Sequence, residues 1–263
     1  MDKPELTPPN SSQAGENHPA TLPAMAEATP DGLRRIVANP ALSEDLALSL
    51  LKRGDLPTGV LEELARNSAA MQSHRVRTRV ACHAKTPRHI AIALVRQLYT
   101  FELMEVALAP AVLPEIAMAA EQAILMRLEK IACGERVTLA RRSSGRLAAS
   151  LLLDADPRVV EATLDNPRVT EEVVTKAVLS PKSSTSLLEL VCHHSKWALR
   201  PEIREALLRS GRLPLPQVLE IAKLLPVHTL RALVHDSHLK ENIRGALQKE
   251  LQQRAESLGV RDQ

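Results

Sequence analysis

One phrase recurs along this chain of 263 residues. A helical run ends in a turn opened by Asn or His, a small residue or Pro follows, and a second apolar run begins. It reads Val37-Ala38-Asn39-Pro40-Ala41-Leu42-Ser43, then Val80-Ala81-Cys82-His83-Ala84-Lys85-Thr86-Pro87, then Leu164-Asp165-Asn166-Pro167-Arg168-Val169-Thr170. A unit of this size cannot bury its apolar face alone. It must stack on a neighbour, so repetition at this scale narrows the architecture before any other consideration.

The apolar register extends the phrase. Leu46, Leu50 and Leu51 follow Asn39 by seven, eleven and twelve residues, Ile90, Leu94 and Val95 follow His83 likewise, and so do Val173, Ala177 and Val178 after Asn166. These offsets share one helical face. Ala109, Ala140, Lys196 and Asp236 anchor weaker copies, with His193 marking a longer turn before Lys196. The anchor spacings are 44, 26, 31, 26, 30 and 40. The two long gaps each hold one extra helix, Pro57–Asn67 and Pro216–Leu225. Asn at the anchor suits a left-handed helix end, and the following Pro stops the first helix. Ser43, Pro87 and Thr170 stand where the second helix starts, as caps or as a first-turn Pro.

Composition agrees with an all-α reading. Tyr99, Phe101 and Trp197 are the only aromatic residues, so the core must be built from Leu, Ala, Val and Ile. The expected architecture is a right-handed α-solenoid of about seven irregular helical hairpins over residues 31–255. Residues 1–30 read as a disordered tail and 256–263 as a flexible end. Residues 1–32 carry one Lys and five acids, a charge of −4, which leaves +7 for the rest of a chain of net charge +3. No signal peptide and no apolar run of spanning length is visible. Three distant cysteines fit a reducing compartment, so a cytoplasmic protein is expected.

Val76-Arg77-Thr78-Arg79-Val80-Ala81-Cys82-His83-Ala84-Lys85-Thr86-Pro87 resembles the unit of the leucine-rich repeat variant family, whose core phrase is V-R-x-x-V-A-x-N-P-x-T-P. Here His83 replaces the Asn and Ala84 the first Pro. Asp154-Ala155-Asp156-Pro157-Arg158-Val159-Val160 is similar to the opening of HEAT-like repeats. The resemblance implies an ARM-type helical array. The cysteine cluster that holds an iron–sulfur centre in some leucine-rich repeat variant proteins has no counterpart, because no cysteine precedes Cys82.

No nucleotide-binding or hydrolase motif is present, and no catalytic residues or cofactor are expected. Cys82-His83 and Cys192-His193-His194 hold metal-ligand chemistry but too few ligands each, so they read as turn and packing substitutions rather than a metal site. Ser143-Ser144-Gly145 reads as a helix cap. The arginines attract more interest. Arg75, Arg77, Arg79 and Arg88 lie in an acid-free stretch, and Arg136, Arg141, Arg142 and Arg146 form a second group. Such surfaces meet carboxylates or phosphates. The expected function is a non-catalytic scaffold binding an acidic protein surface. The alternative is a nucleic-acid backbone binder, and a HEAT-like DNA glycosylase is a third reading. No membrane partner is expected. Trp197 could be an interface hot spot. It and the Tyr99/Phe101 pair fall where the spacing is irregular, which favours plugs in the core.

Overall fold

The computed structural model describes residues 29–236 and 239–259, and all secondary structure among them is helical. The chain divides into two compact units after Pro87. The tail expected over residues 1–30 lies outside the described residues except for Thr29 and Pro30, and Pro30 already opens the first helix.

The first unit contains α1 (Pro30–Ala38), α2 (Glu44–Leu51), α3 (Thr58–Arg66), α4 (Ser68–Gln72) and α5 (His74–Cys82). Helix α1 packs on α3, and α2 packs on α5. Small oxygen-bearing side chains start these helices. Thr29, Ser43, Asn67 and Ser73 each accept a backbone N–H from the first turn they precede. The segment expected as an inserted helix, Pro57–Asn67, is α3 with its two caps. The short α4 follows the turn at Asn67 and packs on α3, so the two form a compressed hairpin with its Asn 28 residues after Asn39.

The second unit contains α6 (Arg88–Val95), α7 (Thr100–Leu108), α8 (Pro114–Leu125), α9 (Cys133–Arg142), α10 (Gly145–Leu151), α11 (Pro157–Leu164), α12 (Glu171–Leu179), α13 (Thr185–His193), α14 (Pro201–Ser210), α15 (Leu215–Lys223), α16 (Val227–Val234) and α17 (Glu241–Gly259). Sequence neighbours α7 and α8 pack as a hairpin, as do α9 and α10. Helices also meet the next but one in two series: α6 on α8, α8 on α10, α10 on α12 and α12 on α14, and in parallel α9 on α11 and α11 on α13. Most of the predicted apolar offsets are buried: Leu50, Leu51, Leu94, Val95, Leu147, Leu151, Leu152, Ala177, Val178, Ile203, Leu207 and Leu208. Leu46, Ile90 and Val173, at offset seven, are half-buried, and Val174 is buried beside Val173.

The helix ends show why the turn residues are there. The last carbonyls of a helix have no partner within it. A left-handed glycine is the usual remedy, yet Gly211 is the only described residue of positive φ. The expected left-handed Asn is not found. Asn39, Asn67 and His83 sit in extended backbone, with φ of −66°, −70° and −79°. Their value lies in the side chain. Asn166 Oδ1 accepts the Arg168 N–H at 2.9 Å, and its Nδ2 donates to the carbonyls of Ala140 at 2.7 Å and Ser143 at 3.0 Å. Asn67 Nδ2 likewise donates to the carbonyls of Val37 and Asn39.

Histidine repeats this arrangement. His83 Nδ1 accepts the Lys85 N–H, so its Nε2 carries the proton and donates to the Arg53 carbonyl at 2.9 Å. His194 Nδ1 accepts the Lys196 N–H, and its Nε2–H donates to Asp165 Oδ1. His194 thus occupies the anchor position. The anchor expected at Lys196 is two residues late.

Arginines supply the same service elsewhere. Arg127 donates to the carbonyls of Leu98 and Arg96. Arg212 reaches those of Val178, Ser180 and Ser183, and Arg254 those of Ala222 and Leu225. These contacts reach back 23 to 34 residues, about one repeat.

Asn166 is 1% exposed, so its loss strands two buried acceptors. Asn166→Ala should lower unfolding stability by about 1–3 kcal/mol, read from urea denaturation. Asn166→Asp keeps the Oδ1 turn but turns an acceptor toward both carbonyls, and should cost at least as much. An Asp variant as stable as the parent would show that the amide donor is not what matters.

Candidate functional site

The arginines singled out by sequence do not share one fate. In the first unit, helix α5 carries Arg75, Arg77 and Arg79. Arg75 is exposed and paired with Glu44 at 3.2 Å. Arg77 is half-buried and donates to the Gln72 carbonyl at 3.3 Å. Arg79 is exposed and makes an interaction of its own.

In the second unit Arg88 pairs with Glu115 at 2.7 Å. Arg136 pairs with Asp154 at 3.0 Å, both largely buried, and donates to the Ile131 carbonyl. Arg146 donates to Gln122 and stands 3.9 Å from Glu121. Glu121 also accepts the hydroxyl proton of Ser144, the residue that caps α10, which places the Ser143-Ser144-Gly145 stretch in a cap. Of the predicted group in this unit, Arg141 and Arg142 remain. Both are exposed in the last turn of α9 and have no ion pair among the described residues.

Two cations missed by sequence join them. Arg168 lays its guanidinium on the Arg142 carbonyl at 3.1 Å. Lys196 is exposed, with Nζ 3.9 Å from the centre of the Trp197 ring. Each stands two residues after an anchor, Asn166 or His194. The anchor side chain holds that residue's backbone N–H. The result is a series of cations on successive turns: Arg141 and Arg142, then Arg168, then Lys196. Asp165 lies within the series and accepts the His194 bond. Had the anchor been read as His194, the position two further on would have exposed this pattern in the sequence.

The aromatic expectation is reversed in part. Trp197 is 2% exposed and donates its indole N–H to the Leu164 carbonyl at 2.9 Å. Its ring therefore belongs to the core and not to a contact surface, as the partner-anchor reading would require. Tyr99 and Phe101, expected as plugs, are 64% and 40% exposed. Tyr99 immediately precedes α7, where its N–H donates to Glu102.

The cysteine sites have structural surroundings. Cys133 opens α9 and donates its thiol proton to Asp156 Oδ2 at 2.9 Å. Asp156 Oδ1 caps α11 through the Arg158 N–H, and both its oxygens receive the Arg158 guanidinium. Asp154 Oδ1 accepts the Asp156 N–H at 2.9 Å. The two acids of the Asp154-Ala155-Asp156 phrase are thus turn and capping groups. The hydrogen bond to Asp156, with burial, pushes the Cys133 thiol above its usual range. Burial, with the nearby charge of Glu189, pushes Cys192 up to about 11. Neither is an activated nucleophile. Among the described residues, no three His, Cys, Asp or Glu side chains gather to hold a metal ion, and no helix is long and apolar enough to cross a membrane.

No protein-family model matches this chain, and no curated protein or solved structure matches it.

Two measurements follow from these environments. Arg158, then the Cys133 hydrogen bond, holds the Asp156 carboxyl well below its usual range. A depressed carboxyl stabilises the fold above its unfolded value of about 3.9 and loses that contribution as pH falls through and below it. Acid unfolding of Asp156→Asn should therefore be less steep below about pH 4 than that of the parent. Cys192 should react with a thiol reagent at pH 8 far more slowly in the folded protein than in denaturant. Equal rates would contradict its burial.

Proposed function

We propose that this chain is a non-catalytic α-helical repeat scaffold, an α-solenoid similar to leucine-rich repeat variant and HEAT-like arrays. It binds an acidic protein surface along the turn edge of its second unit. The observation that carries this reading is the series Arg141, Arg142, Arg168 and Lys196 on successive turns, none with a carboxylate partner among the described residues. Most other candidate arginines already spend their charge on Glu44, Glu115, Asp154 or Glu121. An exposed cation left unpaired on a held turn loses little on meeting a carboxylate, and a guanidinium can meet one in bidentate fashion.

The charge balance favours protein over nucleic acid. Binding to a phosphate backbone draws its strength from many released counterions, whereas this edge offers four cations interrupted by Asp165. The exposed Tyr99 and Phe101 begin α7, away from the α9 and α11 turns, so they add no stacking surface to the basic edge.

A fluorescent polyglutamate peptide tests the edge directly. It should bind at low salt and weaken as salt rises. The quadruple change Arg141→Glu, Arg142→Glu, Arg168→Glu and Lys196→Glu should weaken it at least roughly 30-fold, taking about 0.5 kcal/mol for each exposed pair lost. Helical circular dichroism should stay unchanged. Binding that survives the quadruple change sinks the proposal. A short DNA duplex that competes more strongly than the peptide would shift the reading to nucleic acid.

A further inference from the structure

Beside helix α13 the second unit holds a cleft of about 230 Å³, lined by Ser186, Glu189, Leu190 and His193 of α13 and by Gln217 in the first turns of α15. Its polar groups are biased to one kind. Gln217 Oε1 is buried and has no hydrogen-bond partner. Glu189 is exposed and has no ion pair among the described residues. His193 Nδ1 lies 2.8 Å from the Glu189 carbonyl, which can only accept, so the proton is on Nδ1 and the neutral ring keeps Nε2 as a lone pair. Ser186 adds a hydroxyl.

An orphaned buried acceptor is costly in a folded chain and calls for a donor. A carboxylate, an amide oxygen and an imidazole lone pair in one cleft call for several donors with positive charge. The space is below the roughly 300 Å³ at which pockets for drug-sized ligands begin. It suits one planar cation on a methylene stem, with Leu190 as the apolar wall for the stem.

We propose that this cleft is a recognition site for an arginine side chain of a protein partner. The guanidinium fork donates to the Glu189 carboxylate and, once the Gln217 side chain rotates to bring its buried Oε1 to the cleft, to that oxygen; His193 Nε2 and Ser186 Oγ are further acceptors at the rim. The site is independent of the basic edge and of opposite charge, so failure of one leaves the other standing.

The test uses a capped Gly-Arg-Gly peptide titrated into the full chain and followed by amide NMR shifts. The expected result is saturable shifts confined to α13 and the start of α15, with a Kd on the order of 1 mM. Glu189→Gln and Gln217→Leu should each weaken binding about tenfold, near the loss of one charge-assisted hydrogen bond. Gln217→Leu should also leave thermal stability unchanged or raised, since it removes an unsatisfied group. A role for Gln217 in the fold alone would lower it. The citrulline peptide, neutral but of the same shape, should not bind, and the lysine peptide should bind more weakly. The proposal is overturned by absent or unsaturable shifts, by citrulline or lysine binding as well as arginine, or by an arginine affinity that Glu189→Gln leaves unchanged.

Discussion

Helix ends, more than helix faces, set the terms of this fold. A chain with many short helices has many unpaired terminal carbonyls. It has nine glycines in all, and only Gly211 takes the left-handed backbone among the described residues. The remedy is a side chain from about one repeat further on. Asn67, His83, Arg127, Asn166, Trp197, Arg212 and Arg254 each donate to carbonyls at or just beyond the end of an earlier helix. Each contact ties its residue to a helix end 26 to 34 residues earlier, so local termination and helix packing are one interaction. A sliding hairpin would strand both its own turn and its neighbour's carbonyls.

That constraint decides which charges are available for function. An arginine that spends its guanidinium on two or three carbonyls near a helix end is a structural donor, however exposed its flank. Arg127 and Arg212 are of this kind, and runs of basic residues in the sequence do not distinguish them from free cations. Arg136 and Arg146 are spent differently, on Asp154 and on Glu121 with Gln122. The residues left over are exposed and have no carboxylate partner among the described residues: Arg168 gives one N–H to the Arg142 carbonyl, and Lys196 lies over the Trp197 ring. Their exposure follows from the turn geometry, since the anchor bonds their N–H and leaves the Cβ outside.

Much of the helical pattern was legible because apolar periodicity reports burial directly. Leu147, Leu151 and Leu152, or Ile203, Leu207 and Leu208, sit in the core that their offsets imply. What failed was the reading of polar atoms. Asn suggested a backbone conformation, but its role here is in Oδ1 and Nδ2, whose partners lie in another repeat. His194 was passed over for Lys196 because the apolar register tolerates a shift that a hydrogen bond does not. Irregular spacing favoured burial of all three aromatic residues, and only Trp197 is in the core, with its indole N–H on the Leu164 carbonyl. In the Asp154-Ala155-Asp156 phrase, Asp156 caps α11 and holds Arg158, while Asp154 bonds the Asp156 N–H in the turn and holds Arg136.

The adjacent histidines at the end of α13 show how far this logic reaches. His194 accepts a backbone N–H at Nδ1 and must carry its proton on Nε2, which it gives to Asp165. His193 faces a carbonyl with Nδ1 and must carry its proton there, which leaves Nε2 bare. Two identical rings, one peptide bond apart, are held in opposite tautomers by backbone groups alone. The first ring is consumed in joining repeats and has no capacity for a ligand. The second retains an unused acceptor beside Glu189 and Gln217. Division of labour within the Cys192-His193-His194 stretch therefore arises from the helix end itself. Where the helix stops, one ring is committed to the turn and its neighbour is left with a lone pair to offer.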